Sequence, residues 1–345
     1  MTTPEPPLRL TLDTAALVHN WRALDRLSGA ARAGAAVKAD GYGLGAVRVV
    51  KALAAAGCRD FFVAHASEAA ELLGLVDPAR VAILHGPQDA AEAQWIAAQG
   101  FRPVINSLRQ AELWSAAGNG RCDLMVDTGI NRLGVGLGDL SAAQIRQLNV
   151  ATLHSHLACA EEDNALNPLQ RDRWRSACET IGSDECSLAN SAGIMLGESY
   201  HGSLTRPGLA LYGGVPCAGL EGAIRQVARP EAAIIQVRQV QAGAGVGYNA
   251  TYIAERPMRV GVIALGYADG YLRCWSGKGA MLAGDRRLPV LGRVSMDMTV
   301  IDLTDAPNLA EGDWIGAEYA LPQAAAQTGL SQYELLTLLG RRFAR

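Results

Sequence analysis

The chain has 345 residues, which at about 150 residues per domain predicts two domains, or one large barrel with an appendage. Hydrophobic residues make up 49% and charged residues 19%, too apolar for a disordered chain. The formal net charge is −3 with no long block of either sign, which excludes the electrostatic footprint of a nucleic-acid binder.

The N-terminal residues, up to Pro7, lack the basic start and apolar stretch of a leader. No apolar run approaches the roughly 18 residues of a membrane span, so a soluble cytoplasmic protein without a membrane partner is expected. A short strand over Leu8–Leu12 precedes a helix beginning near Asp13, whose carboxylate suits a cap and whose Leu17, Trp21, Leu24 and Leu27 form one apolar stripe. Strands then follow near 34–38, 60–64, 81–85, 102–105, 122–127, 151–156, 184–189 and 201–205, each succeeded by a helical or helix-like stretch. Eight βα units in this length suit a closed (β/α)8 TIM barrel. An open doubly wound sheet is the alternative, weakened by the lack of G-x-G-x-x-G after the first strand. From about Gln226 short strands near 234–240, 258–263, 288–291 and 298–301 alternate with Gly, Pro and Asp turns, and helical windows return only near 322. The expected organisation is α/β plus all-β: a barrel over 1–225 and a C-terminal β domain over 226–345, with residues 1–12 available to pair with the latter. Seven cysteines without a C-x-x-C pair fit reduced thiols.

Barrel chemistry sits at the C-terminal strand ends. There the sequence delivers Lys38, His85, Asp127 to Arg132, His154 with His156, Asn190 with Ser191, and Arg206. A lysine leaving an apolar strand either snorkels to solvent or is desolvated into a nucleophile or base. The glycines at 41, 43 and 45 favour a loop that approaches a ligand closely. Asn190-Ser191 and Arg206-Pro207-Gly208-Leu209 offer hydroxyl and backbone N–H donors for a phosphate. His154 and His156 share a strand face and raise a metal-hydrolase reading, but in such barrels the pair can sit on the first strand, which here carries Lys38. No metal site is assigned.

Eight segments in order, A-V-K-A-D-G-Y-G-L-G (36–45), D-T-G-I-N-R-L-G (127–134), H-S-H-L-A (154–158), N-S-A-G (190–193), R-P-G-L-A-L-Y-G (206–213), G-Y-N-A-T-Y (247–252), G-Y-A-D-G-Y (266–271) and G-R-V-S-M-D (292–297), resemble alanine racemase. The resemblance implies a pyridoxal 5'-phosphate enzyme that interconverts L- and D-alanine, contributes to D-alanine biosynthesis, and works as a homodimer with shared active sites. It makes Lys38 the cofactor-bearing residue and one catalytic acid/base, and Tyr248 of the partner subunit the other. It gives Tyr42, Asn190, Ser191, Gly208 and Leu209 to cofactor binding. His156 and Arg206 support the Tyr248 phenolate, and Arg206 faces the pyridine nitrogen. Arg132 and the Met296 N–H take the substrate carboxylate, and Tyr267 narrows the entrance. Two positions depart from the family pattern. Met125 stands where well-known members carry a carbamylated lysine, and Gly340 where some relatives place a tyrosine, so a racemase of broader range (serine, lysine, arginine) is the alternative. A non-catalytic cofactor-binding barrel is a further one, but such proteins usually lack the second domain.

Overall fold

The computed structural model describes residues 4–344; Met1–Thr3 of the leader reading lie outside them. These residues form two compact units, Thr14–Arg225 and the set of residues 4–13 with 226–344.

In the first unit all eight expected strands form. Parallel pairing runs through Ala35–Ala36, Phe61–Val63, Val81–Ile83, Arg102–Ile105, Arg121–Asp127, Asn149–His154 and Glu185–Ser187. The eighth strand, Leu204–Thr205, closes the ring. On one side Ser203 N donates to Cys186 O and Arg206 N to Ala189 O; on the other Gly34 N donates to Thr205 O and Ala36 N to Pro207 O. Phe61–Val63 and Val81–Ile83 are buried throughout, as strands covered on both faces must be. Helix Thr14–Leu27 follows the expected stripe, with Leu17, Trp21 and Leu24 buried and Leu27 exposed. Asp89 and Ser107 cap the helices Ala90–Gln99 and Leu108–Ala116 by accepting from Glu92 N and Gln110 N.

After the seventh and eighth strands the helix-like stretches are short 3-10 turns, because Asn190 to Gly193 and Arg206 to Gly213 are taken up by tight backbone turns. One expectation fails here. Cys178 and Cys186, expected as thiols, form a disulfide linking helix Leu166–Ile181 to the seventh strand.

The second unit is a closed antiparallel ring. Its thirteen-residue strand Ala228–Val240 pairs with Leu8–Leu12, Trp314–Ala317 and Met258–Ile263, and the ring continues through Thr299–Asp302, Arg286–Leu291 and Ala280–Ala283 back to Trp314–Ala317. The strands at 280–283 and 314–317 were not foreseen. Tyr271, Trp275 and Tyr319, all buried in this unit, stack in sequence at 4.9 and 5.8 Å, a large apolar payload per residue. Helices Leu321–Thr328 and Gln332–Thr337 close the chain, where helical windows were expected to return.

Candidate active site

The first barrel strand hands Lys38 to a turn in which Ala39, Asp40, Gly41 and Tyr42 all adopt positive φ, at 54°, 53°, 62° and 55°. Three of these residues carry a Cβ, and each left-handed residue costs about 1–2 kcal/mol. The turn persists because its polar groups are tied down. Asp40 Oδ1 accepts from Ala46 N at 2.8 Å, and Glu68 Oε1 accepts from Ala39 N at 2.8 Å. Backbone strain held by surrounding bonds marks sites where a side chain must be aimed, and the side chain aimed here is Lys38. Burial lowers its pKa, the positive charges of Arg132 and Arg206 lower it further, and Glu68 partly offsets them. The desolvated reading of Lys38 therefore prevails over the snorkelling one.

Arg132 lies on the loop after the fifth strand. Asp127 Oδ1 accepts from Gly129 N, Ile130 N and Asn131 N at 2.8, 3.0 and 3.2 Å, so the D-T-G-I-N-R spacing is that of a carboxylate capping its own loop. Gly134, at φ 131°, lets this loop return against Asp127; a Cβ there would lie 2.7 Å from Asp127 N and 3.1 Å from Met125 Cγ. Met125 is buried beneath that crossing. The loop that carries Arg132 is thus fixed by backbone bonds to Asp127, with an apolar side chain below.

His156 follows the sixth strand. Gln170, fully buried, holds its segment by donating to His156 O at 3.0 Å and accepting from Ala158 N at 2.8 Å. Burial among the charges of Arg206, Arg132 and Lys38 drives the His156 pKa down to about 3, so its ring is neutral. Arg206 is 7% exposed, and burial lowers its pKa to about 10 with Asp123 opposing. Its Nη1 contacts His154 Nδ1 at 3.2 Å and Ser187 Oγ, and its Nη2 donates to Ser155 O and Leu188 O. His154 is not presented as a metal ligand, because its two ring nitrogens face Arg206 and Asp123. Among the described residues no group of three or more His, Cys, Asp or Glu is placed to hold a metal.

Beside these groups, Ser191 Oγ accepts from Gly208 N at 3.0 Å and Ala210 N at 3.2 Å. The two N–H donors open the turn Leu209–Tyr212 and converge on one buried point. Tyr42 stacks on Tyr212 at 4.6 Å, with its hydroxyl against Gly208. Asn190 Oδ1 accepts from Gly193 N at 2.8 Å, the bond of a turn former. Lys38, Tyr42, Arg132, His156, Asn190, Ser191, Arg206, Gly208 and Leu209 therefore all belong to the barrel unit, at strand ends or in the turns that follow them.

Tyr248, Tyr267 and Met296 belong to the other unit. Tyr248 is 66% exposed and sits in a short turn beside Asn249 and Ala250, which take positive φ of 60° and 44°. Tyr267 N donates to Ser295 O and Ala268 N to Met296 O, both at 3.0 Å, so two of the sequence motifs lie side by side. Arg342 joins them through Asp269 and Asp297, each at 2.7 Å. The sequence reading missed this arginine, whose signal was a basic residue in a chain segment with acids only at a distance. Gly340 N donates to Asp269 O at 3.1 Å, and a Cβ there would reach within 3.0 Å of Ala268 O.

Residues 12–216 match the family model described as alanine racemase, N-terminal domain, and residues 227–345 the one described as alanine racemase, C-terminal domain. An alanine racemase of Rhizobium meliloti is 41% identical over 363 residues, covering 98% of this chain and 96% of that protein. A biosynthetic alanine racemase of Agrobacterium fabrum is 39% identical over 367 residues, covering 99% and 94%. The crystal structure of alanine racemase from Bartonella henselae with covalently bound pyridoxal phosphate aligns with a TM-score of 0.89 at 33% identity over 99% of both chains. That of the biosynthetic alanine racemase from Pseudomonas aeruginosa aligns at 0.88 and 36%, again over 99% of both.

Proposed function

The chain belongs to the alanine racemase family, and from that premise we propose that it interconverts L- and D-alanine with pyridoxal 5'-phosphate, using Lys38 and the partner subunit's Tyr248 as its two acid/base groups.

The barrel residues fit that cofactor. The bare Cα of Gly208 lets the Tyr42 hydroxyl approach the Gly208 backbone, since a Cβ there would lie 2.2 Å from that hydroxyl. The Gly208 and Ala210 N–H groups converge on Ser191 Oγ, a set of donors suited to a phosphate. Tyr42, Ser191, Gly208 and Leu209 would hold the phosphate, Lys38 the aldehyde carbon, and Arg206 the ring nitrogen. When bound, pyridoxal phosphate supplies an electron sink that acidifies the α-hydrogen of an attached amino acid.

The protein residues divide the remaining work. Lys38 must be neutral to form its bond to the cofactor, and burial together with the charges of Arg132 and Arg206 shifts its pKa in that direction. With cofactor and substrate bound, the Lys38 amine would take the α-proton of D-alanine on one face, while the Tyr248 hydroxyl would deliver a proton on the other; from L-alanine the roles would reverse. An ordinary phenol, with a pKa near 10, is a weak base at neutral pH. Tyr248 therefore needs a positive neighbour. His156 is neutral, so the charge that favours the phenolate would act through space from Arg206. The four Nη hydrogens of Arg206 face acceptors of its own chain, so Nε–H is the donor left that could meet the ring nitrogen. An arginine does not hand its proton over readily, so Arg206 would leave the ring nitrogen unprotonated and temper the electron sink the cofactor supplies. Arg132 would bind the substrate carboxylate together with the Met296 N–H, and Tyr267 would limit side-chain size.

The observation that carries this reading is a desolvated Lys38 surrounded by Arg132, Arg206 and His156, in the same barrel as the Ser191–Gly208 nest. The homodimeric arrangement is supported by the family and by the strained turn that exposes Tyr248. The test is racemisation of each alanine enantiomer by purified protein supplied with cofactor, with serine, lysine and arginine as competing substrates. Alanine should be turned over fastest; preference for another amino acid would replace the substrate assignment while leaving the chemistry.

A further inference from the structure

The buried carboxylate Asp123 and the buried ring of His154 take no part in the mechanism above, yet they lie directly behind the residue assigned to the cofactor ring. Asp123 sits in the fifth barrel strand and His154 ends the sixth; both are 0% exposed. Asp123 Oδ2 lies 3.1 Å from His154 Nε2, and His154 Nδ1 lies 3.2 Å from Arg206 Nη1. Phe62 presses edge to face on the imidazole, with ring centroids 5.9 Å apart and planes at 88°, which fixes the plane of the ring.

The donor inventory determines the proton's place. Arginine has only donors, so the nitrogen facing Arg206 must be the bare, accepting one. The proton of a neutral His154 is then on Nε2 and is donated to Asp123. A doubly protonated ring would set an N–H against the N–H of Arg206. Burial and Arg206 both lower the His154 pKa, against the hydrogen bond to Asp123 that raises it. Burial alone would raise Asp123, but Arg102 and the bonds from His154 and Thr152 overcome it and keep the carboxylate ionised. Arg206 forms no direct ion pair with a carboxylate among the described residues, and Asp123 is the anion that acts on it. A buried charge without a nearby counter-charge is costly, and His154 bridges the gap.

We propose that Asp123 and His154 are positioning residues for the racemase reaction: Asp123 fixes the tautomer of His154 and supplies the counter-charge, and His154 orients the guanidinium of Arg206 that would face the cofactor ring. This rests on the assignment of Arg206 given above. Asp123→Asn keeps the shape but removes the charge, and its amide can donate to His154 Nε2, turning Nδ1 into a donor that opposes Arg206. The same logic accounts for the loss of activity when the aspartate of a serine-protease triad becomes asparagine.

The experiment has two arms. In cofactor-free protein, nitrogen NMR of isotope-labelled histidine should show His154 protonated at Nε2 alone at neutral pH, and Asp123→Asn should change that tautomer. In the second arm, folded Asp123→Asn and His154→Phe proteins, checked by thermal unfolding, should bind cofactor about 10- to 100-fold more weakly, the scale of losing one hydrogen bond to a charged group. They should also show a displaced visible absorption maximum of the bound cofactor and a lower kcat at little changed KM. His154→Gln, which keeps an acceptor for Arg206, should recover part of the loss. His154 protonated at Nδ1, or folded variants with unchanged cofactor affinity and absorption maximum, would overturn the proposal. A wild-type protein with the expected tautomer but no racemisation would instead count against the functional reading on which the proposal rests.

Discussion

Replacing Gly208 with alanine tests the cofactor cradle at a single atom. The added Cβ would lie 2.2 Å from the Tyr42 hydroxyl, 2.9 Å from Tyr42 Cζ and 3.4 Å from Ala36 Cβ. The first contact is about 1.2 Å inside the 3.4 Å at which ordinary contact begins. Tyr42 has little room to retreat, because it is 7% exposed, stacks on Tyr212 at 4.6 Å, and its backbone sits at φ 55°. Overpacking of this kind costs about 1–3 kcal/mol. If the strain is relieved by moving Tyr42 and the Gly208 N–H away from the phosphate, the cost appears as cofactor affinity, roughly tenfold for each 1.4 kcal/mol. The assay is titration of cofactor-free Gly208→Ala with pyridoxal phosphate, followed by visible absorbance, beside thermal unfolding of the same protein. The dissociation constant should rise about 10- to 100-fold. A folded variant that binds cofactor as tightly as wild type would refute the cradle.

Tyr248→Phe removes the second acid/base group and leaves the first. Exchange of the α-proton of L-alanine in deuterated water should fall by at least about 100-fold, the lower range for losing a general base, while exchange from D-alanine is largely retained. Equal loss from both enantiomers would end the two-base scheme. The Lys38 pKa is depressed below 10.5, and only the neutral amine attacks an aldehyde, so the rate of reloading cofactor-free protein should reach half its maximum below pH 10.5. Arg132→Gln removes a charge that lowers this pKa and should move the midpoint upward; a midpoint that stays put would contradict the electrostatic account. Asp127→Ala removes the acceptor of three loop N–H groups. A hydrogen bond to a charged group is worth about 1.5–3 kcal/mol, so the KM for alanine should rise about tenfold or more through a loosened Arg132, and an unchanged KM would show that the loop is held some other way.

The barrel was legible because its strands are buried on both faces and read as short apolar runs, and because polar residues cluster where those runs end. That rule locates Lys38, Arg132, His156 and Arg206 at strand ends, and the family resemblance supplies the roles proposed for them. The turn after Lys38 was not legible: nothing local makes Ala39 and Asp40 left-handed, and they are held so by Glu68 and Ala46, the former from another βα unit. His154 was noticed as half of a histidine pair, but its partner Asp123 was overlooked, although an acid inside the apolar run Cys122 to Val126 always demands a buried partner. The strands at Ala280–Ala283 and Trp314–Ala317 were missed because four residues between turns carry little alternation. The Cys178–Cys186 pairing joins a helix to a strand, and neither cysteine belongs to a spacing motif that would have announced it.

The central claim, that Lys38 carries pyridoxal phosphate and with it the racemisation of alanine, is tested most directly by one comparison. Wild-type protein and Lys38→Ala are each incubated with cofactor, their visible spectra recorded, and the enantiomers of alanine resolved with time from either pure starting form. Wild type should show the absorption band of lysine-bound cofactor and bring both starting enantiomers to the same mixture, and Lys38→Ala should lose the band and the reaction together. A band that survives the substitution, or wild-type protein that binds the cofactor yet leaves both enantiomers unchanged, would contradict the account.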